Sequence, residues 1–65
     1  MAHSSQPIQF LTPKAVCSRI AASRATLDRM VAAGNFPKPI HITPYRLAYT
    51  AEAVEQWMRE KMEAA

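Results

Sequence analysis

The chain has 65 residues, of which 49% are hydrophobic and 20% charged, and its formal net charge is +3. A chain of this length predicts one small domain that buries about 60% of the surface its unfolded form exposes, which leaves little core for a catalytic cleft. The composition is typical of a globular protein rather than a disordered tail, and no apolar run approaches the roughly 20 residues of a membrane-spanning helix.

Residues 1–7 are polar, and we expect them to form a flexible leader ahead of a folded domain over residues 8–65. They lack the charged region followed by an apolar stretch that marks a secretory signal. Cys17 is the only cysteine, so an intramolecular disulfide is excluded. A reducing, cytoplasmic location is therefore expected, with association to the nucleoid when the protein is bound to DNA.

The first helix follows a short stretch over residues 8–10 that alternates apolar and polar side chains and is expected to be extended. Thr12 before Pro13 predicts the helix start, because the threonine can cap the helix and proline at the first position loses no useful N–H group. We expect this helix over residues 13–20.

The second helix is expected after a break at residues 21–22, which contains neither glycine nor proline. Ser23 predicts its N-cap, and the helix should run to Ala33. Gly34 then lies where a left-handed residue ends a helix. Three apolar residues at helical spacing predict the buried face of this helix: Leu27, Met30 and Val31.

A helix cannot continue through residues 36–39, F-P-K-P, because each residue that precedes a proline is pushed towards extended geometry. Residues 40–43 and, more weakly, residues 46–49 alternate apolar and polar side chains, with Pro44 and Tyr45 between them. This pattern predicts a β-hairpin in which Pro44 opens the turn. The register stays open, since neither Asn-Gly nor Asp-Gly is present.

Thr50 predicts the N-cap of a third helix, from residue 51 to about residue 62. Its buried stripe is expected to be Ala51, Val54, Trp57 and Met58. Glu55 precedes Arg59 by four residues on the wet face, a favourable spacing for an ion pair. The order of elements predicts a mainly α fold with a small β-hairpin, namely a winged helix-turn-helix whose wing lies between helices two and three.

The charges are distributed unevenly along the chain. Residues 1–50 carry six basic side chains against Asp28 alone, whereas residues 51–65 carry two basic side chains against four glutamates. A small domain with its positive charge concentrated in one part is typical of proteins that bind nucleic acid. The charge alone therefore favours an anionic partner without identifying it.

Residues 23–30, S-R-A-T-L-D-R-M, and residues 34–40, G-N-F-P-K-P-I, resemble the AlpA-like family of small prophage regulators and excisionases. That family carries the pattern S-R-x-T-(apolar)-x-R-(apolar), followed by G-x-F-P-x-P-(apolar). Arg46, Tyr49 and the stretch E-A-V-E-Q-W over residues 52–57 are similar to its wing arginine, its aromatic residue and its E-x-V-x-x-W ending. The resemblance covers about residues 10–61.

The resemblance implies a winged helix-turn-helix related to MerR-type DNA-binding domains, with double-stranded DNA as the ligand. It implies either transcriptional control or assistance to an integrase during excision of a prophage or mobile element. An integrase or recombinase, and further copies of the chain that bind DNA cooperatively, are additional candidate partners. No cofactor, small-molecule ligand or membrane partner is expected.

Two departures from the family pattern affect the candidate site. The family's wing turn is usually rich in glycine, whereas residues 43–45 are Thr-Pro-Tyr here, which predicts a stiffer or differently shaped wing. Asp28 stands where an aromatic residue is common in the family. A carboxylate there would repel phosphate, or would accept a hydrogen bond from a cytosine amino group if it reached a base edge.

The candidate DNA-binding residues lie on helix two and on the wing. Arg29 is expected to contact a guanine or a phosphate, and residues at the start of the helix lie where recognition helices usually contact bases. Tyr45 is expected to pack on a sugar, and Arg46 to enter the minor groove or meet the backbone. The full set is Ser23, Arg24, Ala25, Thr26, Asp28 and Arg29 on the helix, with Lys38, Thr43, Tyr45 and Arg46 on the wing.

Two other interpretations remain at this point. The same residues could be an ordinary solvated surface, and the acidic third helix could dock on an integrase or regulator as a protein-interaction adaptor. An enzyme is not expected, because the sequence offers no Ser/His/Asp arrangement, glycine-rich phosphate loop or paired inward carboxylates. A metal site is not expected either, since His3, Cys17 and His41 lack short ligand spacings.

Overall fold

The computed structural model describes residues 8–64, so the leader expected over residues 1–7 lies outside the described residues, as does residue 65. The elements, in chain order, are β1 (Phe10–Leu11), α1 (Pro13–Ile20), α2 (Arg24–Ala32), β2 (Ile40–Thr43), β3 (Arg46–Thr50) and α3 (Ala51–Ala64). Three helices with a wing between α2 and α3 form a winged helix-turn-helix, which confirms the predicted fold class. Within the described part of the chain, no helix is both long and apolar enough to cross a membrane.

Each of the three helices begins at a hydroxyl cap. Thr12, Ser23 and Thr50 all accept a hydrogen bond from the backbone N–H three residues later, at 3.0, 3.2 and 3.2 Å. Such a cap satisfies one of the N–H groups that the first turn of a helix leaves without a partner, and it contributes about 1 kcal/mol to stability. All three caps were predicted from the sequence, and the structure confirms them.

The turn between α1 and α2 uses an alanine in a left-handed conformation. Ala21 has φ 59° and ψ 44° and ends α1, while the N–H of Ala22 donates to the carbonyl of Cys17 at 3.0 Å. The left-handed region disfavours any residue with a Cβ, and glycine is the usual occupant. This explains why the predicted break at residues 21–22 had no sequence signal of its own.

The end of α2 follows the pattern that Gly34 predicted. The helix ends at Ala32, one residue earlier than expected, with Ala33 as its right-handed C-cap and Gly34 at φ 80°. The N–H of Gly34 donates to the carbonyl of Val31 at 3.1 Å, and the next N–H donates to the carbonyl of Met30 at 2.8 Å. This pair of bonds is a Schellman motif, in which glycine occupies the left-handed position.

The sheet has three strands in the order β1-β3-β2, all antiparallel, so the predicted hairpin gains a third strand from the N-terminal segment. In β1 and β3, Leu11 pairs with Tyr49. In the hairpin, His41 pairs with Leu47 and Thr43 pairs with Arg46, with an irregularity between His41 and Thr43. The hairpin and an extended segment before α1 were predicted, but the pairing of that segment with the hairpin was not.

The core lies where the helices meet the inner face of the sheet. Val16, Leu27 and Val54, one from each helix, are completely buried. The rest of the buried cluster comes from the strands, the α2–β2 connection and the start of α3: Leu11, Phe36, Tyr49 and Ala51. Since Leu27 comes from the middle of α2, the core sets which face of that helix points to solvent.

One predicted surface contact differs in the structure. The carboxylate of Glu55 lies 3.3 Å from the guanidinium of Arg19 in α1, and the expected pair with Arg59 does not form. The fold brings Arg19 of α1 within reach of Glu55 in α3, and the sequence spacing along one helix carries no information about that neighbour. Both side chains are partly exposed, so solvent screens the pair and its contribution to stability is small.

Replacement of Ala21 by glycine should stabilise the protein, because it removes the penalty of a Cβ in the left-handed region. Ala21→Gly is expected to raise the free energy of unfolding by up to about 1 kcal/mol, after the entropic cost of glycine in the unfolded chain is subtracted. Ala33→Gly is the matched control, since Ala33 also ends a helix but has φ −82°. It should lower stability by roughly 0.5 kcal/mol. Urea unfolding measures both, and shifts in the same direction would contradict the explanation.

The buried Tyr49 should make the protein less stable at high pH. Burial raises the pKa of its phenol above the ordinary value of 10.0, while the nearby charge of Arg24 acts in the opposite direction. The folded state thus holds the phenol proton more tightly than the unfolded chain. The free energy of unfolding is therefore unaffected by this group below about pH 10 and falls as the pH rises beyond it.

Tyr49→Phe should remove part of that fall between about pH 9 and pH 12, as measured by urea unfolding at a series of pH values. Tyr45→Phe is the control, because Tyr45 is 96% exposed and its phenol changes environment little on folding. An identical pH profile for the two variants would show that the buried phenol does not cause the loss.

Candidate nucleic-acid interface

The outward face of α2 is formed by small and charged residues. Leu27 is fully buried, and Met30 and Val31 pack against the core at partial exposure. The opposite arc of the helix is exposed and consists of Arg24, Ala25, Asp28, Arg29 and Ala32. Because two of these five side chains are methyl groups, another molecule can approach the helix backbone closely between the charged residues.

The N-terminus of α2 leaves backbone donors available. The hydroxyl of Ser23 accepts from the N–H of Thr26 and donates to the Thr26 hydroxyl at 3.0 Å. Within residues 8–64, the N–H groups of Arg24 and Ala25 have no hydrogen-bond partner. Free N–H groups at this end of a helix, together with the helix dipole, favour an anion such as phosphate. Ser23 is thus occupied by the cap, and the backbone after it supplies the available donors.

Arg24 and Asp28 form an ion pair on the exposed arc. The Nε of Arg24 donates to Oδ1 of Asp28 at 3.0 Å, and the side chains are 58% and 59% exposed. The hydrogen bond and the charge of Asp28 raise the pKa of the Arg24 guanidinium. Both residues were predicted at the site from the sequence, whereas the ion pair between them was not.

Arg29 completes the charged part of the arc. Its side chain is exposed and, among the described residues, it has neither an ion-pair nor a side-chain hydrogen-bond partner. Since Asp28 already pairs with Arg24, the charge of Arg29 is not compensated by any carboxylate of this helix. The outward face of α2 therefore carries a net positive charge that is located on one side chain that is unpaired within the described residues.

The wing exposes the other candidate residues. Lys38, Thr43, Tyr45 and Arg46 are all exposed, and Tyr45 projects from the turn between β2 and β3. The Thr43 hydroxyl accepts from the N–H of Tyr45 at 3.2 Å and stabilises the turn. Of residues 8–64, only Ala21 and Gly34 have positive φ, so this turn contains no left-handed residue.

The tight turns that best match the twist of a hairpin require positive φ, which glycine, asparagine or aspartate supplies. Proline at the first turn position excludes that conformation, because its ring holds φ near −65°. The pairing irregularity between His41 and Thr43 accommodates the mismatch. The wing that lacks glycine is thus shaped by a proline-containing turn and by an irregular pairing of β2 with β3.

The connection between α2 and the wing is anchored by aromatic contacts. The ring of Phe36 lies 5.7 Å from that of Tyr49 in an edge-to-face arrangement and 4.9 Å from that of Trp57. The Nε1 of Trp57 donates to the carbonyl of Asn35 at 2.8 Å. These contacts tie residues 35–36 to both β3 and α3, and the Trp57 bond was not predicted from the sequence.

The acidic residues other than Asp28 lie elsewhere, on the last helix. Glu52, Glu60 and Glu63 of α3 are exposed, and Glu55 is engaged by Arg19. Over the part of the chain that the structure covers, no group of three His, Cys, Asp or Glu side chains is arranged to hold a metal ion. The basic candidate residues on α2 and the wing are therefore separated in the chain from the acidic surface.

Comparison with known proteins identifies the family. A family model described as "Prophage CP4-57 regulatory protein (AlpA)" matches residues 9–62. The match runs from just before β1 into the last turns of α3 and so includes both α2 and the wing. No curated protein and no solved structure was found to match the chain. The resemblance seen in residues 23–40 and 46–57 is confirmed by this match, and the chain belongs to the AlpA family of small prophage regulatory proteins.

Proposed function

We propose that this protein binds double-stranded DNA in a sequence-specific manner, with α2 in the major groove and the wing against the backbone or minor groove. The observation that carries the proposal is the exposed arc of α2, where two alanines separate arginines and the only carboxylate is paired. An arc of this kind can approach base edges closely without presenting an uncompensated negative charge to phosphate. Membership in a prophage regulatory family supports a regulatory role for that binding.

The contacts expected on α2 follow from its geometry. Arg29 has no partner in the described part of the chain and is free to form two hydrogen bonds with a guanine or to contact a phosphate. The free N–H groups after Ser23 would bind a phosphate beside the groove. Thr26 lies at the same end of the helix, where its hydroxyl can donate to the backbone or to a base.

The wing, which follows α2 in the chain, would supply the remaining contacts with DNA. Arg46 at the start of β3 would enter the minor groove or meet the phosphate backbone, and Tyr45 at the tip would pack on a sugar. Lys38 and Thr43 would add phosphate contacts, which position the domain without conferring sequence preference. The short, proline-containing turn would present these side chains with little loss of conformational entropy.

The regulatory role can be either control of transcription or assistance to an integrase during excision of a prophage. A module of this size buries about 600–1,000 Å² on DNA, which limits its affinity when it acts alone. Cooperative binding of several copies at repeated sites would compensate for the small interface. The exposed glutamates of α3 would provide the surface for an integrase or recombinase, and an adaptor role that depends on α3 alone is the second candidate function.

Arg29→Ala should weaken binding to a preferred duplex by roughly tenfold or more, because it removes a base or phosphate contact. The duplex is obtained by selection from a randomised pool with the unchanged protein, and binding is measured by fluorescence anisotropy. For about four to six contacted phosphates, log K against log salt should have a slope of roughly −4 to −5 per protomer.

Lys14→Ala is the matched control, since it removes the same charge from an exposed position on α1. Equal losses for the two variants would argue against α2 as the DNA-contacting helix. A protein that binds no duplex at low salt, yet still captures an integrase, would favour the adaptor role instead.

A further inference from the structure

The ion pair between Arg24 and Asp28 is not explained by the stability of α2. Arg24 is the first residue of the helix, and no acidic residue occurs in the first turn. A cation at a helix N-terminus is poorly placed relative to the helix dipole, and an acidic residue four positions before a basic one is the more favourable order for such a pair. The pair is also more than half exposed, so solvent screens it strongly.

The atoms that form the pair leave the rest of the guanidinium available. Asp28 accepts from Nε of Arg24, and the two terminal amino groups of Arg24 have no hydrogen-bond partner among residues 8–64. A guanidinium is planar, so holding one nitrogen restricts the direction of the other two. Two parallel N–H donors match the O6 and N7 acceptors that guanine presents in the major groove.

The position of the pair on α2 agrees with such a role. Arg24 and Asp28 share the exposed arc with Ala25 and Arg29, at the end of the helix where recognition helices contact bases. An arginine held beside a carboxylate is less suited to phosphate, because the carboxylate repels the phosphate and cancels the charge that would release counterions. A base edge is uncharged and is not repelled in this way.

We propose that Asp28 determines sequence specificity by holding Arg24 through Nε, so that the terminal amino groups of Arg24 bind a guanine in the major groove. Asp28 is thus a positioning residue for Arg24. This inference rests on the proposed DNA-binding function, and it assigns different roles to the two arginines of α2. Arg24 selects a base under the control of Asp28, whereas Arg29, which has no carboxylate partner, is the more mobile contact.

The test compares Asp28→Asn with the unchanged protein on the duplex selected from a randomised pool, and on duplexes in which each G·C pair is replaced in turn. Loss of the carboxylate charge weakens the bond that holds Arg24, so preference for guanine at one position should fall by roughly tenfold. Affinity for unrelated duplexes should rise, because the freed Arg24 can contact phosphate. The slope of log K against log salt should steepen by about 0.9, the value for one additional phosphate.

Glu52→Gln is the matched control, since it removes one exposed carboxylate from α3 and leaves α2 unchanged. It should preserve the preference at every position. Circular dichroism checks that both variants remain folded, which the exposure of the two positions predicts. If Asp28→Asn keeps the guanine preference, or changes it no more than Glu52→Gln does, the proposal is overturned.

Arg24→Lys provides a second, independent measurement, because lysine keeps the charge but lacks the planar pair of donors. It should lose preference at the same G·C position as Asp28→Asn, and the two changes combined should cause no further loss. If the two variants lose guanine preference at different base pairs, or if their losses add in the double variant, Asp28 does not act through Arg24. If the unchanged protein selects no sequence at all, both the proposed function and this inference fail. If the unchanged protein selects a sequence and Asp28→Asn keeps the same guanine preference, the proposed function stands and only this inference fails.

Discussion

The burial of Phe36 between Tyr49 and Trp57 is the interaction on which the arrangement of this small domain depends. The ring belongs to the connection between α2 and the wing, yet it packs on the last strand and on α3. The hydrogen bond from Trp57 to the carbonyl of Asn35 fastens the same connection a second time. Without these contacts, a proline-containing segment would join α2 to the hairpin without fixing their relative positions.

The same core determines what α2 offers to the solvent. Leu27 is completely enclosed by the core, so the helix cannot rotate without exposing it, and the opposite arc is held outward. A domain of this size has a small free energy of unfolding, and each fully buried aliphatic side chain contributes a large part of it. The stability of the core and the direction of the candidate DNA contacts therefore depend on the same side chains.

Charge is organised at two levels in the molecule. Within α2, Asp28 pairs with Arg24 and leaves Arg29 uncompensated. Across the fold, Arg19 on α1 engages Glu55, while the other described glutamates remain exposed on α3. The result is a basic surface on α2 and the wing and an acidic helix that follows them in the chain. The positive net charge understates this separation, because the acidic helix offsets part of the basic surface.

Features that depend on neighbours in the chain were determined by the sequence alone. The hydroxyl caps at Thr12, Ser23 and Thr50, the left-handed Gly34 after α2 and the hairpin turn at Pro44 all arise between near neighbours in the chain, and each was predicted. The tertiary structure decided the contacts between distant segments: the pairing of β1 with β3, the partner of Glu55, and the bond from Trp57 to residue 35. It also decided the left-handed Ala21, because closure of the core imposes a conformation that alanine by itself disfavours. Local hydrogen bonds are encoded by residue spacing, whereas these features depend on which segments the burial of Leu27 and Phe36 brings together.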